Sequence, residues 1–118
     1  MPADAFKNLV IKHFTHSSIA DGGTFSNTWD ADDNYILRFI FINFDGALGT
    51  KSTITIRINN VPLTKDNALC RSFGNTAENA LPLEIDLRKD AKFEYEGVNH
   101  EGATKQIDVE LVLERRGA

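Results

Sequence analysis

The densest set of potential metal ligands lies in TWDADDNY, residues 28 to 35. Asp30, Asp32, Asp33 and Asn34 offer side-chain oxygens close together, which is what a hard cation such as Ca²⁺ takes. The EF-hand pattern fails: Tyr35 stands where the turn glycine belongs, and Phe41 where the bidentate glutamate belongs. Asp and Asn are also the default turn formers. The segment therefore reads first as a solvated loop between two strands, with a weak Ca²⁺ site at Asp30, Asp32 and Asp33 as the alternative. The histidines are His13, His16 and His100. On one continuous strand His13 and His16 point to opposite faces, so they cannot chelate one ion together. No transition metal or other cofactor is expected.

Nucleophilic chemistry has little to work with. Cys70 is the one cysteine, so no intrachain disulfide can form, and a lone thiol reads as a small buried hydrophobe. No Ser-His-Asp or Cys-His arrangement is legible from spacing. No glycine-rich loop leads from a strand into a helix to cradle a phosphate. Trp29 shares a strand face with Phe25. Trp29 and Tyr35 are the candidates for a sugar-stacking platform, with Tyr95 a third, against burial in a core.

The elements that would position these residues are strands. Period-two alternation recurs in residues 6–14, 23–29, 52–59, 81–87, 92–96 and 105–114. In 52–59, Ile54, Ile56 and Ile58 alternate with Thr53, Thr55 and Arg57. In 105–114, Ile107, Val109, Leu111 and Leu113 stand against Asp108, Glu110 and Glu114. Turn signals separate the runs: Asp21-Gly22-Gly23, Asp45-Gly46, Asn59-Asn60, Gly74-Asn75, Arg88-Lys89-Asp90 and Asn99-His100-Glu101-Gly102. Residues 65–80 are the least regular, with one helical turn predicted at Ala77–Ala80. The pattern predicts an all-β, antiparallel sandwich of about eight strands, jelly-roll-like, occupying residues 1–118 as one domain.

One strand is anomalous. Residues 35–44, YILRFIFINF, are apolar on both faces, whereas a sandwich strand buries one face and wets the other. Tyr35, Leu37, Phe39 and Phe41 carry the larger rings and no charge, which assigns them to the core. Ile36, Arg38, Ile40 and Ile42 then face outward, with the Arg38 stem lying over the isoleucines. An outward apolar face needs a cover. The candidates are a loop or helix from residues 65–80 and a partner subunit, and the partner is preferred.

Composition limits the function classes. The chain has 118 residues, 42% hydrophobic and 25% charged, with a formal net charge of −4. That charge argues against wrapping nucleic acid. No apolar run approaches the roughly 18 residues of a membrane-spanning helix. The N-terminus shows no basic segment followed by an apolar one, which favours synthesis and assembly inside a cell.

Residues 81–116 contain PLEIDLRKDAKFEYEGVNHEGATKQIDVELVLER. This apolar-polar hairpin, Asn-Gly loop and final strand ending in charge resemble the single jelly-roll proteins of viral capsids. The resemblance implies a virion structural protein, assembled in the host cytoplasm. It would be a capsid, minor capsid, spike-base or tail component, without catalytic residues, whose partners are copies of itself and other virion proteins. Ile36, Arg38, Ile40 and Ile42 are the expected interface. The alternative is a non-catalytic carbohydrate-binding sandwich using Trp29 and Tyr35.

Overall fold

A computed structural model describes residues 9–63 and 68–116. Residues 6–8 of the first predicted strand, 65–67 of the irregular stretch and the last two residues lie outside that description. The elements are β1 (Leu9–Ile19), β2 (Thr24–Asp30), β3 (Tyr35–Phe44), β4 (Thr53–Ile58), β5 (Val61–Pro62), β6 (Ala68–Leu69), β7 (Ile85–Leu87), β8 (Lys92–Val98) and β9 (Lys105–Arg115). One 3₁₀ turn, Cys70–Ser72, follows β6. β2, β4, β8 and β9 coincide with runs of period-two alternation, β1 continues past its run to Ile19, and β3 is the stretch that is apolar on both faces. The predicted strand at 81–87 shrinks to Ile85–Leu87, because Pro82 interrupts the ladder.

The strands form two antiparallel sheets, ordered β1-β9-β3-β7 and β2-β8-β4-β5, with β6 also pairing β4. The chain changes sheet at every connection except those joining β4, β5 and β6. With β5 and β6 sharing one edge, this alternation wraps eight strand positions into a jelly roll. Turn chemistry enforces it. Asn59 and Asn60 both take positive φ, 52° and 67°, giving the reversed twist that a two-residue β4–β5 hairpin requires. At Gly97 close approach decides the residue: an added Cβ would run into the Phe25 ring opposite it, and that ring would have to move out of its place in the core.

The core is the alternating set from both sheets. Ile107, Val109, Leu111 and Leu113 of β9 face Phe25, Ile54, Ile56, Phe93 and Tyr95, and Cys70, Phe73 and Leu87 close one side. The irregular stretch lies along the edge of β3 rather than across its face: Leu83 N–H donates to Arg38 O (2.9 Å) and Ile42 N–H to Gly74 O (3.1 Å). No helical turn forms at Ala77–Ala80; a tight turn closes over 76–79 instead, with Asn79 N–H donating to Thr76 O (3.3 Å) and Asn79 Oδ1 accepting from the N–H groups of Asn75 and Thr76.

The register of β3 corrects its predicted faces. Leu37 pairs with Leu113 but Phe39 pairs with Val112, so Arg38 is an extra residue, a β-bulge. A one-residue slip exchanges the faces of everything beyond it. Tyr35 and Leu37 point inward as expected. After the bulge, Ile40 and Ile42 turn inward, at 0% and 1% exposure, with Phe44. Phe39 and Phe41, expected in the core, are half-buried on the outer face. The reason is the partner strand. Leu111, Val109 and Ile107 are fixed inward, and Ile40, Ile42 and Phe44 lie directly opposite them.

Candidate functional site

The outer face of the β1-β9-β3 sheet reads in rows across the strands. Leu9, Glu114 and Ile36 form one row, Ile11, Val112 and Phe39 the next, then His13, Glu110 and Phe41, then Thr15, Asp108 and Asn43. The first two rows are mostly apolar. Ile11 is 63% exposed and Leu9 44%. The Phe39 and Phe41 rings stack, with centroids 5.7 Å apart and planes 6° from parallel. Arg38 and Ile36 stay on this face, so half of the predicted interface set (Ile36, Arg38) is presented and half (Ile40, Ile42) is core. Sequence alternation without a bulge could not find Phe39 and Phe41. The available signal was Arg38, a charge in the middle of an apolar strand.

Polar groups frame the patch. Arg38 Nη2 donates to Glu114 Oε2 at 2.9 Å. At the other end His13 Nε2 donates to Asp108 Oδ1 (3.1 Å), which also accepts from Thr15 Oγ1 (2.9 Å). Burial works against the Asp108 charge, but the donors from His13, Thr15 and Gln106 outweigh it, and its pKa is lowered. Glu110, between these pairs, has no ion-pair partner among the described residues.

The open edge of this sheet is guarded. β1 is an edge strand, yet Lys12 lies on its core-facing side. Its Nζ sits 5.7 Å from the Phe14 ring centroid and 5.9 Å from that of Trp29. A charge pointing inward from an edge, together with the irregularity between His16 and Ile19, discourages a further strand from adding there. β3's other edge is occupied by β7 and the Gly74–Leu83 segment.

The other candidates resolve otherwise. Asp32, Asp33 and Asp30 do not converge: Asp32 Oδ1 accepts from Tyr35 Oη at 2.6 Å, which lowers the Asp32 pKa. Asp33 pairs with Arg115 at 3.3 Å, and Asp30 is exposed. Among the described residues no group of three or more His, Cys, Asp or Glu side chains could hold a metal ion. Tyr35, 2% exposed, is unable to serve as a sugar platform. Trp29 is half-buried beside it, ring centroids 5.9 Å apart, and Tyr95 is buried. Cys70 is buried, and burial first, with Glu101 nearby, pushes its thiol up to about 12, so it stays protonated and inert. The tail arginines pair within the chain, Arg115 with Asp33 and Arg116 with Asp86.

Two polar residues that alternation did not single out stabilise the fold. His16 Nε2 and Tyr95 Oη share a hydrogen bond at 2.6 Å; burial lowers the His16 pKa, partly countered by Asp108. The Glu101 carboxylate accepts from Thr50 N, Lys51 N, Ser52 N and the Ser52 hydroxyl (2.6 Å), tying the β8–β9 loop to the β3–β4 loop.

Fold and surface together define a jelly-roll sandwich with an apolar patch at one end of the outer β1-β9-β3 face. No protein-family model, curated protein or solved structure matches the chain. No helix among the described residues is long and apolar enough to cross a membrane.

Proposed function

We propose that the protein is a structural subunit that assembles through the outer face of its β1-β9-β3 sheet, with a place in a virion as the particular reading. One observation carries this: on the outer face Ile11, 63% exposed, continues into the half-buried Val112, Phe39 and Phe41 as one apolar surface. Monomers rarely expose such surfaces, and those that do use them as interfaces. The jelly-roll strand order and the resemblance of residues 81–116 to capsid proteins support the virion setting, although the fold also carries lectins and cupins. A sugar-binding role is the weaker alternative, since Tyr35 is buried and bonded to Asp32.

The test is the mass of the native protein by sedimentation velocity. The proposal expects a discrete multiple of the 13.1 kDa chain. A concentration-independent monomer contradicts it.

A further inference from the structure

Away from the assembly surface, we infer that the β3–β4 loop carries a carboxylate-binding site, made by the N–H groups of Thr50, Lys51 and Ser52 with the Ser52 hydroxyl, which the chain fills with its own Glu101 as an internal ligand. The β8–β9 loop is thereby a strap that closes by binding.

Both carboxylate oxygens are engaged. Glu101 Oε1 accepts from Thr50 N–H (3.1 Å) and Thr50 Oγ1 (3.3 Å). Oε2 accepts from Lys51 N–H (3.0 Å), Ser52 N–H (2.9 Å) and Ser52 Oγ (2.6 Å). Successive amides turned toward one point make a concavity for an anion. Among the described residues no ion pair involves Glu101, so neutral donors alone hold its charge. Burial acts to raise the Glu101 pKa, but the donors from Ser52, Lys51 and Thr50 outweigh it and the pKa is lowered. Ser52 is 0% exposed. Its hydroxyl accepts from His100 N–H (2.9 Å), which leaves its one proton for the carboxylate.

Neither half of the site depends on the carboxylate for its shape. On the receptor side, Ser52 O accepts from Cys70 N–H (2.9 Å), and β4 begins at the next residue. On the strap side, the buried Asn99 accepts from Glu101 N–H (3.0 Å) and donates to Ile19 O (2.8 Å) and Ala103 O (2.9 Å). Asp21 Oδ1 accepts from Gly102 N–H (2.9 Å). Cutting Glu101 back to its Cβ therefore leaves the donors aimed at a gap shaped for a carboxylate. Thr50 and Lys51 are exposed, so the gap opens to solvent. The donors left without an acceptor cost stability, and a free monocarboxylate of the size of formate restores it.

The experiment is formate rescue of Glu101→Ala in the full chain. Thermal melts are recorded in sodium formate and in sodium chloride at equal ionic strength, with wild type as control. The amide resonances of Thr50, Lys51 and Ser52 are followed by NMR through the same titration. In chloride, Glu101→Ala should melt several degrees below wild type. Formate should recover part of that loss along a saturable curve, half-complete at about 1 mM or above, because so small a ligand reaches at best millimolar affinity. The three amides should shift on the same curve. Wild type, its site filled, should show neither effect. Equal melts of Glu101→Ala in the two salts, with no saturable shift at residues 50–52, mean that water fills the gap and overturn the inference. Should Glu101→Ala be unfolded in chloride, circular dichroism through the titration decides. Folding regained in formate alone supports the site, and a chain that stays unfolded in both salts overturns it.

Discussion

Across β2, β8 and β4 one outward row reads Thr28, Glu94, Arg57. Across β1, β9 and β3 the matching kind of row reads Ile11, Val112, Phe39. The inner faces of the two sheets are built alike, from Ile, Leu, Val and aromatic residues. The outer faces differ in kind. The first is what an antiparallel sheet facing water carries, and the second is what a sheet facing protein carries. A fold needs one core, and the Thr-Glu-Arg face is all that folding asks of an outer surface. On the assembly reading proposed above, the second apolar surface serves contact with another subunit; the bulge at Arg38 is what presents Phe39 and Phe41 there. Without that extra residue, Phe39 and Phe41 would share the face of Leu37.

The comparison breaks most visibly at two neighbouring residues. Ile40→Glu places a carboxylate among Leu111 and the other core residues and should cost about 4 kcal/mol or more, enough to unfold a domain of this size. Phe41→Glu, one residue along and on the other face, should cost about 1 kcal/mol and leave a folded chain. Urea denaturation of the two variants gives the difference. Similar instability in both would mean that the faces of β3 are not separated by the bulge.

Acid should act on the inner face before the outer one. The folded His16 pKa lies below its ordinary value of 6.5, because burial disfavours the imidazolium. The unfolded chain then takes up a proton that the folded chain refuses. Stability is present above pH 6.5 and falls as the pH drops below it. The site is partly exposed, so solvent screening keeps the loss small. His16→Gln should remove this part of the slope between pH 7.5 and 5.5. Asp32, Asp86, Glu101 and Asp108 have lowered pKa values, so their contributions survive to below about pH 4.5 and are lost there. An unchanged slope in His16→Gln would contradict the assignment. The smallest effect is expected on the polar face: Ser26→Glu should shift the melt by no more than about 0.5 kcal/mol in equivalent stability.

Much of this architecture was legible in the sequence, and for a physical reason. Alternation in 52–58, 92–96 and 105–113 reports directly which side chains face the core, since one face is wet. The turns at Asp45-Gly46 and Asn59-Asn60 declare themselves through residues that accept positive φ. β3 defeated the same reasoning because both its faces are apolar. Ring size was a poor substitute for register: the isoleucines matched the inward residues of β9, and the phenylalanines did not. Register is a property of two strands, so it cannot be read from one. The acidic run 30–33 was legible as a turn but not as a set of separate partners, since Tyr35 and Arg115 reach it only in the fold.

The central claim is that the apolar outer face is where subunits meet. Sedimentation equilibrium of wild type, Phe41→Glu and Ser26→Glu at equal concentration tests it most directly. The account predicts an assembled wild type and Ser26→Glu, and a folded, monomeric Phe41→Glu, its association weakened roughly a hundred-fold. Phe41→Glu assembling as wild type does, or Ser26→Glu dissociating in its place, would contradict it.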